Sequence, residues 1–304
     1  MKGSPHSAAH LGSQREFWWN PDFLELLGRR VSAAVGRDVR SALDVGAGRC
    51  HWTAIVARWV PALERLVASD IEEQWVLGAA KAFADRFGPH AFKVEAVEAD
   101  AHELPFPDDT FDVTTCQTLL IHVAEPLLAL SEMVRVTRPG GVVVVAEPAN
   151  FRAVLEMDSA ALALGLDAQA RRMRLWLACR LGRLRLGDPD FDLGERLLPM
   201  LQSVGLQSVR VVINDRVRGI APPYESAEQQ SLLAYLATSS AALATPLGRN
   251  TVLRLAVAGG MMPQEIDKAL EEEATHAALR KSQVQSGRYV ASGAPDLFVA
   301  WGHR

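Results

Sequence analysis

Cysteine is scarce in this chain: there are three in 304 residues, Cys50, Cys116 and Cys179, and no C-x-x-C pair among them. That spacing argues against both a disulfide framework and a cysteine-based zinc site. No apolar run approaches the roughly 20 residues that a membrane-spanning helix needs. The opening stretch, MKGSPHSAAHLGSQREF, lacks the apolar centre of a secretion signal. Positive charge is not in excess either. Lys and Arg number 32 against 36 Asp and Glu, a formal net charge of −4 that gives no global attraction to nucleic acid or anionic membranes. Internal repeats and long low-complexity tracts are missing too. Together these absences lead to the expectation of a soluble protein of a reducing compartment, the cytoplasm, with no nucleic-acid or membrane partner.

What is present is an alternation. Residues 1–13 read as a small, polar leader. After them REFWWNPDFLELLGRR carries helical apolar spacing, with Pro21 at a first turn capped by Asn20. From residue 41 strands and helices alternate at the spacing of βαβ units. Strands are expected at Ser41–Val45, Arg65–Ser69, 91–97, Phe111–Gln117 and Val142–Glu147. Helices are expected at Trp52–Trp59, 74–87 and Glu125–Val136, with R-P-G-G (138–141) as a turn. This implies an α/β fold with a mostly parallel, doubly wound sheet covered on both faces. Beyond Asn150 the rhythm becomes helical over 151–186. A helix over Glu195–Val204, a strand over Ser208–Ile213, a second helical stretch over 225–282 and a last strand over Asp296–Gly302 follow. Ser226 and Gln229 are spaced as a capping box. The organisation expected is an N-terminal leader and aromatic helical lid over 1–40 and one domain over 41–304. That domain carries helical cap insertions at about 151–190 and 221–285.

Chemistry concentrates at SALDVGAGRCHW (41–52), where an apolar strand ends in an acid, a glycine-rich turn and a helix start. Glycines there let the backbone approach a nucleotide-like ligand. A dinucleotide fingerprint from Gly46 would want glycine at 51, where His51 stands. The acid-x-G-x-G-x-G pattern of S-adenosylmethionine enzymes would want it at 50, where Cys50 stands. Asp70 ends the second strand, placed to accept ribose hydroxyls in either kind of site. DAHELPF (100–106) follows the third strand, and SEMVRVTRPGGVVVVAEP (131–148) supplies helix, turn and fifth strand in order.

Taken together, residues 41–148 resemble the class I S-adenosylmethionine-dependent methyltransferases, the group with D-A-x-x-L-P-F and R-P-G-G motifs. The resemblance implies a Rossmann-like seven-stranded sheet whose last strand is antiparallel and inserted between its neighbours. It also implies S-adenosylmethionine as cofactor, leaving as S-adenosylhomocysteine, and no metal. Asp44, Gly46 and Gly48 would hold the methionine moiety and Asp70 the ribose, with Ile71 beside the adenine. Asp100 and Ala101 would contact the adenine ring, and Gln117 would lie near the methyl-donor site. Trp19 and Arg15, from an N-terminal helix that closes over the cofactor in this family, complete the set. His122, after strand four in QTLLIHVAEP, is the candidate general base. Glu147 and Asn150 are placed to orient an acceptor. The helical insertions imply a largely apolar acceptor cavity, hence a small-molecule acceptor methylated on oxygen or nitrogen in a specialised-metabolite tailoring step.

Three other readings stay open. The arginine run ARRMRLWLACRLGRLRLG (170–187) would serve an RNA or protein methyltransferase, or form a solvated basic face. The acidic stretch DKALEEEATH (267–276) could pair with it within the chain or across a homodimer. Cys50 would suit a cofactor-binding protein without catalysis.

Overall fold

The structure is a computed structural model that describes residues 15, 17–60, 62–75, 78, 81, 94–155, 157–293 and 296–304. The leader, most of the helix expected over 74–87 and the start of the strand expected over 91–97 lie outside the described residues. The chain divides into two compact units, one of residues 1–148, 192–215 and 297–304, the other of 149–191 and 216–296.

The first unit is built on a seven-stranded sheet. Its strands are β1 (Ser41–Val45), β2 (Arg65–Asp70), β3 (Val94–Glu98), β4 (Phe111–Gln117), β5 (Thr137–Pro148), β6 (Gln207–Ile213) and β9 (Leu297–His303), in the order β3-β2-β1-β4-β5-β9-β6. β9 runs antiparallel between β5 and β6 and the other pairs are parallel. The sheet and its inserted antiparallel strand are those the sequence implies. Helices α1 (Pro21–Val35), α2 (His51–Trp59), α3 (Pro126–Val136) and α6 (Leu197–Ser203) cover it.

Residue alternation explains why both faces are covered. Along β5, Val142, Val144 and Ala146 join one buried cluster with Leu27, Trp52 and Trp301, while Val143 and Val145 join another with Leu130, Met133 and Leu197. A strand buried on both faces reads as an unbroken valine run because neither face tolerates a polar side chain. One expectation needs correcting. Arg138–Gly141 is not a turn ahead of β5 but a bulge within it, since Phe111 pairs with Thr137 and Val113 with Val142. Gly140 takes φ +76° there, and its N–H donates to the Arg304 carbonyl. The last strand thus ties off the backbone groups that the bulge leaves unpaired.

The second unit holds α4 (Ser159–Leu162), α5 (Leu166–Arg185), α7 (Ala227–Ala244), α8 (Pro246–Ala258) and α9 (Pro263–Gln285). A two-stranded antiparallel sheet of β7 (Arg218–Ile220) and β8 (Ala291–Gly293) completes it. The two helical stretches therefore come together as one compact unit. Ser226 caps α7, its hydroxyl accepting from the Gln229 N–H at 3.1 Å. Glycines set the α5–α8 crossing: a Cβ on Gly182 would overlap the Leu255 carbonyl, and one on Gly259 the Ala178 carbonyl. Gly182→Val is expected to cost about 3 kcal/mol or more, because backbone on the facing helix cannot yield as a side chain can. Urea unfolding read by circular dichroism checks this, and an unchanged midpoint would show that the helices separate at little cost.

Candidate functional site

The parallel strands β1, β2, β4 and β5 all end at one edge of the sheet, where ligands bind in open α/β folds. After Val45 the chain turns through Gly46 (φ +70°), Gly48 (φ +50°) and Cys50 (φ +58°) into α2. The turn is fixed by Ala47 N–H donating to the Ser69 carbonyl at 2.9 Å and Cys50 N–H to the Ala47 carbonyl at 2.8 Å. Gly48 N–H donates to Asp70 Oδ2, also at 2.9 Å. Cys50 answers the question raised by its place in the motif. The position needs a left-handed backbone, which favours glycine, and this chain meets it with a small, fully buried side chain.

Gly46 has a second reason to be glycine. A Cβ there would come within 2.7 Å of Leu119 Cδ1. Leu119 is in turn held by Glu147 at the end of β5, whose Oε1 accepts from the Leu119 and Leu120 N–H groups at 2.8 and 2.7 Å. The sequence marks Glu147 as an acceptor-orienting residue. The structure shows it buried, bracing the turn after β4. Its other oxygen, Oε2, is buried with no hydrogen-bond partner, as is Oδ1 of Asp44. Asp44 is fixed on its other side by the Thr53 hydroxyl at 2.5 Å.

Electrostatically this edge is acidic. Burial pushes the Asp44 carboxyl up to about 7, opposed by the Thr53 hydrogen bond and reinforced by the charge of Asp70. Burial likewise pushes Glu147 up to about 7, against the pull of the Leu120, Leu119 and Ile121 amides and the Arg15 charge. Arg15, stacked over the Trp18 ring at 5.0 Å, is lowered to about 10 by its own burial. Both acids have native pKa values raised above those of the unfolded chain. The stability they contribute by staying protonated is therefore full at acid pH and is lost as pH rises toward 7.

The other expected residues fall around this edge with varied settings. Asp70, half-buried, also accepts from the Glu72 N–H at 3.0 Å. Ile71 beside it is 56% exposed. Asp100 accepts from the His102 N–H at 2.9 Å and meets the His102 ring at 2.7 Å, and these hydrogen bonds hold its carboxyl below the usual range. Ala101 and Gln117 are buried, Gln117 at the end of β4. His122 is exposed on the turn after β4, its N–H donating to the Leu119 carbonyl. Trp19 is drawn into the core, packed on Trp52 and Phe23, so its side chain anchors the N-terminal segment. Asn150 belongs to the helical unit, where it donates to the Phe191 carbonyl. Among the described residues no cluster of His, Cys, Asp or Glu is arranged to hold a metal. No helix among them is long and apolar enough to cross a membrane.

The arginine run is largely consumed inside its own unit. Arg171 pairs with Glu272 at 2.5 Å, Arg172 with Glu273 at 3.1 Å and Arg174 with Glu265 at 2.8 Å. The first two partners lie in the acidic stretch 267–276, so that pairing is made within the chain. Arg180 and Arg183 lie over the rings of Phe151 and Phe191.

The chain is similar to known proteins. The family described as "Methyltransferase domain" matches residues 43–145. A demethylmenaquinone methyltransferase of Halalkalibacterium halodurans is 30% identical over 214 residues, covering 66% of this chain and 78% of that protein. Its counterpart in Geobacillus stearothermophilus is 33% identical over 138 residues, 45% of this chain and 54% of the relative. Among solved structures, a SAM-dependent methyltransferase from Aquifex aeolicus aligns with 68% of this chain and 90% of its own at 19% identity and a TM-score of 0.40.

Proposed function

This chain belongs to the class I S-adenosylmethionine-dependent methyltransferases, and from that membership we propose that it methylates an oxygen or nitrogen of a small-molecule acceptor in a specialised-metabolite tailoring step. The observation that carries the reading is the Asp44–Gly48 turn. It combines a backbone a ligand can approach closely, a buried carboxylate oxygen with no partner and an acidic strand end.

These residues fit the cofactor. Asp44 Oδ1 has acceptor capacity for a donor of the methionine moiety, the Gly46 and Gly48 turn would let the backbone approach it, and Gln117 would serve the same part. Asp70 has acceptor capacity for ribose hydroxyls. Ile71 offers an apolar surface to adenine, and Asp100 with the Ala101 amide meets its polar edge. Arg15 suits the cofactor carboxylate. When bound, S-adenosylmethionine supplies an electrophilic methyl group, and the acceptor lone pair forms the new bond as the carbon–sulfur bond breaks onto sulfur. The chain's share is to align the two and to exclude water. The buried carboxylates of Asp44 and Glu147 add a field that favours positive charge.

That field gives a pH signature. A cation is held best when both acids are ionised, so affinity for S-adenosylmethionine is expected to rise from pH 6 to pH 8, by roughly three- to tenfold. S-Adenosylhomocysteine, which keeps the ammonium but lacks the sulfonium charge, should change in the same direction and by less. Titration calorimetry at the two pH values checks this, and an S-adenosylmethionine affinity that is the same at both would remove the acids from the charge recognition.

His122 is the proposed base for an acceptor hydroxyl or ammonium that must lose a proton. His122→Ala should leave cofactor affinity unchanged and lower turnover roughly a hundredfold. Unchanged turnover would take it off the catalytic path. A second reading comes from the relatives' names: a ring carbon of a quinol-like acceptor. Reaction with carbon-13 methyl-labelled cofactor separates the two, because O-, N- and C-methyl products resonate at different shifts.

A further inference from the structure

The second unit holds a partly open cavity of about 950 Å³, lined by residues between 158 and 293. This is the size at which a protein buries most of a drug-sized molecule. Its apolar wall comes from Met173 and Trp176 of α5, Leu232, Leu236 and Leu243 of α7, and Leu270 of α9. One part of the wall is polar and tightly organised. Arg172 Nη2 lies 2.9 Å from His276 Nδ1. A guanidinium can only donate, so Nδ1 accepts and the ring proton sits on Nε2, 2.9 Å from Asp158. The Tyr289 hydroxyl donates to Asp158 at 2.8 Å, and Trp176 Nε1 donates to Glu273 at 2.7 Å.

Charge along the wall is uneven. Both acids are saturated, Asp158 by His276 and Tyr289, Glu273 by Arg172 and Trp176. Arg249 is matched by Asp267 at 2.6 Å. Arg280 differs. Among the described residues its hydrogen bonds go to neutral groups, the Leu236 carbonyl at 3.1 Å, the Ser240 hydroxyl and the Tyr289 hydroxyl. A half-buried guanidinium that meets only neutral acceptors retains most of its capacity for a carboxylate.

We propose that this cavity is a small-molecule site in its own right, binding a largely apolar molecule that carries one carboxylate. The carboxylate pairs with Arg280 and the apolar body lies along Leu232, Leu236, Leu243 and Trp176. The Asp158–His276–Arg172–Glu273 chain holds α5 and α9 together as the fixed rear wall, and the Tyr289 hydroxyl stands between Asp158 and Arg280. The site does not depend on the methyltransferase reading, because it is formed without any residue of the first unit.

The test uses the whole 304-residue chain without cofactor and the fluorescent probe dansylaminoundecanoate beside its neutral methyl ester. The acid is expected to bind at least about tenfold more tightly than the ester, the gain typical of a charge-assisted pair. Arg280→Met should bring the acid down to the ester's affinity and leave the ester unchanged, and Arg280→Lys should recover part of the preference. Leu236→Trp, which obstructs the apolar wall, should weaken binding of both about equally. Circular dichroism and thermal melting verify that each variant is folded. Equal affinity for acid and ester in the unaltered protein would overturn the proposal, as would a preference for the acid that survives Arg280→Met.

Discussion

Gly46→Val is expected to weaken S-adenosylmethionine binding at least about a hundredfold while the sheet still folds. Two costs add. Valine at φ +70° pays about 1–2 kcal/mol for a left-handed backbone, more than an unbranched residue would. Its Cβ also meets Leu119 Cδ1 at 2.7 Å, and overpacking of this kind costs about 1–3 kcal/mol. The Cδ1 tip can swing aside, but Leu119 Cγ and Cβ lie 3.3 and 3.4 Å from the same point, on a backbone that Glu147 fixes through the Leu119 and Leu120 amides. The strain is met most cheaply by moving the turn away from its ligand-competent shape, so it appears chiefly as lost affinity. Titration calorimetry measures the affinity, and thermal melting monitors the fold. Affinity within a few-fold of the unaltered protein would mean that the turn does not hold the cofactor.

Glu147→Ala should act on both stability and binding. It leaves one buried and one part-buried amide without an acceptor and removes a fully buried side chain, a loss of about 3–5 kcal/mol. Glu147→Gln provides the contrast. Its carbonyl still accepts from the same amides, so most of that stability should remain. The amide cannot ionise, so the fall in stability toward pH 7 that comes from this group should flatten. Urea unfolding of the three proteins at pH 5.5 and 7.5 checks both statements. A Gln variant as unstable as the Ala variant would show that the charge, rather than the bracing of the turn, is what the site needs.

Much of the first unit was legible in the sequence because its signals are local. β4 occupies the expected residues Phe111–Gln117, and the βαβ rhythm sets the parallel order that the sheet displays. Distant partners were not legible. That Leu119 lies against Gly46, and that Glu147 holds Leu119, depends on three strand ends meeting in space. The only hint is an acid terminating a valine run, where burial would otherwise exclude charge. The resemblance implies Trp19 at the cofactor through the N-terminal helix, whereas the packing of its large apolar surface against Trp52 depends on a partner distant in sequence. The second unit was hardest to foresee. Its small sheet joins two three-residue strands, β7 and β8, and its polar chain joins Asp158 to His276, both far apart in sequence. No periodicity announces either.

The central claim is that the turn after β1 holds S-adenosylmethionine. Photo-crosslinking with radiolabelled cofactor, followed by tryptic mapping, tests it most directly. Saturable adducts, displaced by S-adenosylhomocysteine, are expected in the peptides Ser41–Arg49 or Cys50–Arg58. No saturable adduct, or one confined to peptides of the helical unit, would contradict it.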